Sequence, residues 1–225
     1  MAKLFLLRHI KSQWNKENRF TGWMDIPLDK NEIKKAKALA KKIFKNKIDK
    51  IYSSALFRNE DTIAEMMENL PKKYPIFIHI DQGKMKGREN FKDISENDIP
   101  VFVTERLNER YYGELQGENK KSAAKKFGKE KVHLWRRSYT IAPPGGESLK
   151  EVFERTVPFY KEYIENDLRS GQNVLLVASG NTLRSIVKYL DSISDDKIID
   201  FEIPYGGLLE YEFGRSLKLV SKKSY

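Results

Sequence analysis

The chain has 225 residues, 40% apolar and 33% charged, with a formal net charge of +10. This composition excludes a disordered or fibrous chain and leaves enough residues for a full core. With no cysteine and only three histidines, disulfides and thiolate chemistry are excluded and a histidine-rich metal site is not expected.

Residues 3–7, KLFLL, form a predicted buried strand that stops at Arg8-His9. The start is too short and too soon charged for a signal peptide, and no apolar run reaches the roughly 17 residues of a membrane span. The expected compartment is the cytoplasm. Residues 30–46 place Ile33, Ala36, Leu39, Ala40, Ile43 and Phe44 at helical spacing. A short strand over Ile48–Ser53 precedes a helix over Leu56–Leu70, which Pro71 ends. Ile76–Ile80 alternates like a strand. The polar stretch after it, within 74–98, reads as an inserted or elongated segment over one edge. Val101–Val103 is a short strand.

Residues 119–128 can form a helix closed by Gly128. Pro143-Pro144-Gly145-Gly146 is a rigid turn. The helix Glu147–Asn166 contains Pro158, so a kink is expected near residues 154–158. Asn173–Ala178, NVLLVA, is the strongest strand signal. Ser179-Gly180-Asn181 then leads into a helix, Thr182–Tyr189. Leu208–Phe213 and Leu217–Val220 make a hairpin around Gly214-Arg215-Ser216. The tail after Val220, SKKSY, is short and basic.

Strands and helices alternate, which favours one layered α/β domain over residues 1–225 with a mostly parallel sheet. The most apolar strands, Leu4–Leu7 and Val174–Ala178, belong at its centre. The closing hairpin makes the sheet mixed. No Gly-x-Gly-x-x-Gly follows the first strand and there is no P-loop. The lysine clusters at 34–50 and 120–131 read first as solvated helix surface, and no nucleic-acid signature accompanies them.

Ligands in such sheets bind at the carboxyl ends of strands. Three ends are polar beyond the needs of packing: Arg8-His9 with Ser12 and Asn15, Ser53-Ser54 with Arg58, and Ser179-Gly180-Asn181. Together they supply the parts of an oxyanion or phosphate site. His9 is the candidate nucleophile, or simply a strand-end hydrogen-bonding group. Glu109 is a candidate acid and base whose pKa burial or a phosphate would raise, or a salt-bridge partner of Arg110 or Arg106. Arg136 and Arg137 are placed on a shaped loop, where they would clamp a second anionic group.

The stretches RHIKSQWNKENRFTGWMDIPL (8–28), SSALFRNEDT (53–62), RLNERYYGELQGENK (106–120), WRRSY (135–139), PPGGESLKEVFERTVPFY (143–160), ASGNTLRSIVKYL (178–190) and IPYGGLLEYEF (203–213) cover nearly the whole chain. In that order the sequence resembles the cofactor-dependent phosphoglycerate mutases of the histidine phosphatase superfamily. The resemblance implies a three-layer α/β/α sandwich with a mixed, mostly parallel central sheet. It implies interconversion of 3-phosphoglycerate and 2-phosphoglycerate through a phosphohistidine primed by 2,3-bisphosphoglycerate. It implies no metal, no nucleic acid and no membrane, and leaves a homodimer open. The catalytic set it implies is His9, Glu109, Arg8, Arg58 and Ser179. The implied phosphate and substrate ligands are Ser12, Asn15, Thr21, Gly22, Arg110, Tyr111, Tyr112, Lys120, Arg136, Arg137, Gly180 and Asn181.

The chain departs from the family at several positions. Arg8-His9-Ile10-Lys11 replaces Arg-His-Gly-Glu, and Ser179 stands where the family has its second histidine. A serine donates one hydrogen bond and cannot become cationic. Losing a transition-state donor costs about 3 kcal/mol, and Lys11 is the candidate compensating charge. Ser179 and the short tail keep two alternatives in view: a histidine-type phosphatase with weak mutase activity, and a catalytically impaired paralogue that binds a phosphometabolite.

Overall fold

A computed structural model describes residues 1–83, 95 and 97–225. The strands are β1 (Ala2–Arg8), β2 (Lys50–Ser54), β3 (Tyr74–His79), β4 (Asp98–Thr104), β5 (Val174–Ala178), β6 (Leu208–Phe213) and β7 (Leu219–Ser224). They form one sheet in the order β3-β4-β2-β5-β1-β6-β7. β3, β4, β2, β5 and β1 are parallel, β6 runs antiparallel to β1, and β7 runs antiparallel to β6.

The helices are α1 (Gln13–Lys16), α2 (Lys35–Ile43), α3 (Phe57–Met67), α4 (Lys120–Phe127), α5 (Lys129–Arg137), α6 (Leu149–Phe159), α7 (Glu165–Arg169), α8 (Gly180–Leu190) and α9 (Asp195–Ile198). Alternation along β1 and β5 divides the core. Leu4, Leu6, Val174 and Leu176 pack with α6, α7 and α8 through Phe159, Leu168, Leu183 and Ile186. Phe5, Leu7, Leu175 and Val177 pack with α2 and α3 through Ala40, Ile43, Ile63 and Met66. Both faces of the central strands are therefore dry, which explains their unbroken apolar runs. The expected three-layer α/β/α sandwich with a mixed sheet is the fold, and the two most apolar strands are paired neighbours near its centre. A separate small cluster of Phe20, Leu115, Ala123, Val132 and Trp135 seats α4 and α5.

Several expectations are corrected. α2 starts at Lys35, not at residue 30, because the Asp29 carboxylate accepts from the Asn31 N–H at 3.2 Å and makes a turn there. β4 runs through Pro100, which precedes the first β2 pair, Ile51↔Val101, so no β2 hydrogen bond is lost there. The irregularity expected at residues 154–158 falls at a wide turn over Tyr160–Ile164, and helix continues to Arg169. The strand expected over Ile76–Ile80 is the edge strand Tyr74–His79, and the polar stretch expected to lie over an edge follows it. The rest of that expectation lies largely outside the described residues. The second hairpin strand starts only at Leu219, since Ser216 and Leu217 sit at φ 56° and 57°. The SKKS of the tail is paired to β6, with its lysines on an exposed edge.

Candidate active site

The carboxyl ends of β1, β2 and β5 lie side by side, with Arg8 opposite Ala178 and Ser53 opposite Val177. His9 leaves β1 there, its N–H bonded to the Ala178 carbonyl at 3.2 Å. The imidazole is 2% exposed. Its Nδ1 lies 2.7 Å from the Ile10 carbonyl, which assigns the proton to Nδ1 and the lone pair to Nε2. Ile10, in place of the family glycine, buries its side chain in the core below. Its N–H donates to Thr62 Oγ1 at 3.1 Å, and that hydroxyl donates to the Arg58 carbonyl at 2.7 Å. The His9 loop is thereby tied to α3.

Arg58, in the first turn of α3, is 1% exposed. Its Nε donates to His9 Nε2 at 3.3 Å. Its terminal nitrogens donate to the Met24 carbonyl at 3.1 Å, the Gly22 carbonyl at 2.8 Å and Ser179 Oγ at 3.2 Å. Gly22 is required at its position. Its φ is +53°, and a Cβ there would meet Gln116 Oε1 at 2.1 Å. Burial lowers the Arg58 pKa to about 10, so the guanidinium remains charged at neutral pH. Burial first, then the charges of Arg58 and Arg8, push His9 well below its ordinary value. His9 is a neutral base.

Glu109 enters from the turn after β4. Its Oε1 accepts from Asn181 Nδ2 at 2.6 Å and from the Arg110 N–H at 2.7 Å. Burial pushes this carboxyl up, but the Asn181 amide, Arg58 and the Arg110 N–H outweigh burial and hold it below its ordinary value. The expected raised pKa is corrected for the ligand-free protein: Glu109 is ionised. The alternative salt bridges are also absent. Arg110 donates to the Trp135 and Arg136 carbonyls, and Arg106 pairs with Glu162. The Glu109 carbonyl itself is held by Arg155 Nη2 at 2.9 Å and by the Trp23 indole N–H.

These groups face one cavity of about 260 Å³. Arg8, Arg19, Arg58, Arg110, Lys120, Arg136, Arg137 and Arg184 line it, against the carboxylates of Glu109 and Glu202. Asn15, Thr21, Gly22, Tyr112, Gly180 and Asn181 complete the expected part of the wall. The Nε atoms of Arg8, Arg110 and Arg184, three residues of this wall, are buried without a hydrogen-bond partner in the protein, which leaves donor capacity beside the cavity for an anion. Among the described residues, no three His, Asp or Glu gather as a metal site would require.

Two expected ligands, Ser12 and Tyr111, and Lys11 lie off the cavity wall, and Arg136 and Arg137 reach it from a different element than expected. Ser12 does not line the cavity; its hydroxyl donates to Asn15 Oδ1 at 2.8 Å and aims that amide, whose nitrogen donates to Thr21. Tyr111 points outward against Trp23. Lys11 does not line the cavity either. Its charge is felt by Asp29, held low chiefly by Lys16, and by Glu32, held low chiefly by Lys35. Arg136 and Arg137 lie in the last turn of helix α5, not on a loop. They reach the cavity because Val132 and Trp135 anchor the helix in the small cluster.

Ser179 is fully buried, makes no cap bond to α8 and is not part of the cavity wall. Its Oγ accepts from Arg58 and, at 3.4 Å, from Asn59 Nδ2. The serine thus meets the site through Arg58. Sequence reasoning missed Arg19, Phe20, Arg184, Glu202, Ile203 and Tyr205 in the wall. Arg184 had a signal, since it follows Asn181 by one helical turn and donates to its Oδ1 at 2.9 Å.

Comparison with known proteins agrees with this geometry. The model of the histidine phosphatase superfamily (branch 1) matches residues 4–96 and 87–222. A 2,3-bisphosphoglycerate-dependent phosphoglycerate mutase of Methanococcus vannielii is 44% identical, covering 100% of this chain and 98% of its own. One from Chlamydia caviae is 43% identical over 94% of this chain and 93% of its own. Among solved structures, Bacillus stearothermophilus YhfR superposes with a TM-score of 0.74 at 22% identity, covering 98% of this chain and 95% of that one. A mycobacterial glucosyl-3-phosphoglycerate phosphatase reaches 0.72 at 23% identity, over 94% and 93% of the two chains. These two share the fold. The chain belongs to the histidine phosphatase superfamily, branch 1.

Proposed function

We propose that the chain is a 2,3-bisphosphoglycerate-dependent phosphoglycerate mutase, an isomerase that interconverts 3-phosphoglycerate and 2-phosphoglycerate through a phosphohistidine at His9. The observation that carries this reading is the content of one cavity: a neutral histidine of fixed tautomer, an ionisable carboxylate and cations enough for two anionic groups. The names of relatives more than 40% identical over nearly their full length support it. The reading takes the chain as one domain, because the seven strands among the described residues join one sheet, and as a cytoplasmic enzyme.

The residues fit a doubly phosphorylated three-carbon acid. That molecule supplies the phosphoryl group that primes the enzyme. His9 Nε2 forms the N–P bond as the P–O bond breaks, and Glu109 delivers a proton to the departing oxygen. In the next half-reaction the substrate hydroxyl attacks phosphorus, the N–P bond breaks, and Glu109 takes the hydroxyl proton. Arg8, Arg58, Asn15 and the start of α8 hold the phosphoryl oxygens. Arg19, Lys120, Arg136 and Arg137 hold the carboxylate or distal phosphate. An arriving phosphate offsets the field of Arg58, so Glu109 gains a proton when ligand binds and is then ready as an acid.

The test supplies 3-phosphoglycerate with and without 2,3-bisphosphoglycerate and follows both 2-phosphoglycerate and free phosphate. Appearance of 2-phosphoglycerate that depends on the bisphosphate is expected, with acid-labile label on His9 and none in His9→Asn. Free phosphate as the sole product would overturn the mutase reading in favour of hydrolysis.

A further inference from the structure

Arg8 ends β1, and its guanidinium is enclosed on both faces. On one side lies Gly180, where a Cβ would stand 3.2 Å from Arg8 Cζ and 3.4 Å from its Nε and Nη2. On the other side the ring of Tyr205 lies 3.8 Å from Cζ. One edge is also taken, since Nη1 donates to the Ile203 carbonyl. The Nε is buried and has no partner in the protein. With both faces covered and Nη1 bonded to the Ile203 carbonyl, the Nε/Nη2 edge of the fork is the one left to meet an anion.

The loop that carries Tyr205 is fastened to the same strand end. The Gly206 N–H lies 3.1 Å from the Arg8 carbonyl and 3.2 Å from the His9 carbonyl. The Tyr205 ring also sits 5.7 Å from the His9 ring, tilted by 52°. Ring, cation and imidazole therefore form one packed group in the cavity wall.

We propose that Tyr205 is a positioning residue for phosphoryl transfer, its ring pressing the Arg8 guanidinium against Gly180 so that Nε meets the phosphoryl group at His9. The proposal rests on the reading of Arg8 as a phosphoryl ligand. The ring face does the work, so its aromatic character matters and its hydroxyl does not. A cation held over a desolvated ring loses a good part of its orientation when the ring becomes aliphatic, which sets the expected effect at about tenfold.

The experiment measures binding of inorganic phosphate to the whole protein by calorimetry, together with kcat and KM for 3-phosphoglycerate. Tyr205→Leu is expected to raise the phosphate Kd about tenfold and to lower kcat more than it raises KM. Tyr205→Phe keeps the ring and is expected to restore both to within about threefold. Gly180→Ala pushes on the cation from the opposite face and is expected to weaken phosphate binding without touching Tyr205. A space-filling ring would instead show itself in the melting temperature, with phosphate affinity per folded molecule unchanged in Tyr205→Leu and Gly180→Ala. That result would overturn the clamp and leave the mutase reading standing. A parent protein that bound no phosphate and took no label on His9 would overturn both.

Discussion

His9 titrates where its charge is opposed by burial and by two guanidinium groups. Its folded-state pKa lies below the ordinary 6.5, so the unfolded chain binds the extra proton. The stability that comes from keeping His9 neutral is complete above about pH 6.5 and is lost as pH falls toward the folded-state value. The same sign applies to activity. The acid limb of kcat/KM for the free enzyme should lie well below pH 6.5, and an acid limb centred at 6.5 or higher would contradict the buried neutral imidazole. Ser179 leads to a milder expectation than a lost transition-state donor. In Ser179→Ala, Arg58 keeps the Gly22 carbonyl at 2.8 Å and Asn59 keeps Ser54 Oγ at 2.6 Å. The variant should lose about 1 kcal/mol of stability and less than tenfold in kcat. A loss of a hundredfold would mean that the hydroxyl itself reaches the reacting phosphoryl group.

At the scale of elements, the site is a meeting of strand ends fastened by side chains from helices. Arg155 on α6 shows the principle. It takes both Glu147 oxygens at 2.8 and 2.9 Å and holds the carbonyls of Arg106 and Glu109 at 3.0 and 2.9 Å. Arg155→Ala leaves the half-buried Glu147 without its cation and frees the backbone that presents Glu109. It should cost about 2 kcal/mol in denaturant melts and lower kcat at least tenfold with a smaller change in KM. An intact kcat would show that Glu109 is held well enough by Asn181, the Arg110 N–H and Trp23 without Arg155. Legibility in the sequence follows the same division. The apolar runs of β1 and β5 and the polar residues at their ends were readable, because burial on both faces leaves no other pattern. The mouth loop with Glu202 and Tyr205 was not, because its residues reach the cavity only through the turn that joins α9 to β6. α5 was missed because its buried face is only Val132 and Trp135 in a stretch otherwise rich in charge. Lys11 lies off the cavity wall while His9 is on it, because neighbours in sequence at a strand end diverge at once in space.

For the whole molecule, which carries a net charge of +10, eight cations face one cavity against the two carboxylates of Glu109 and Glu202. Anionic substrates should be drawn to it over distances comparable to the screening length, about 10 Å at 0.1 M salt. Raising sodium chloride from 20 mM to 500 mM should lower kcat/KM about tenfold, chiefly through association, while kcat changes little. A salt-independent kcat/KM would show that the cations act only at contact range.

The pairing of Arg8 with Ala178 has a further consequence for how the protein comes to exist during synthesis. The nucleophile follows β1 directly, yet that strand has no partner on either side until β5 and β6 have left the ribosome. During most of translation the β1 segment is an apolar stretch waiting for neighbours some 170 positions away, a long-range pairing of the kind that slows folding. Competence to bind phosphate should therefore emerge late and all at once, and nascent chains arrested before residue 174 should carry the histidine without its chemistry.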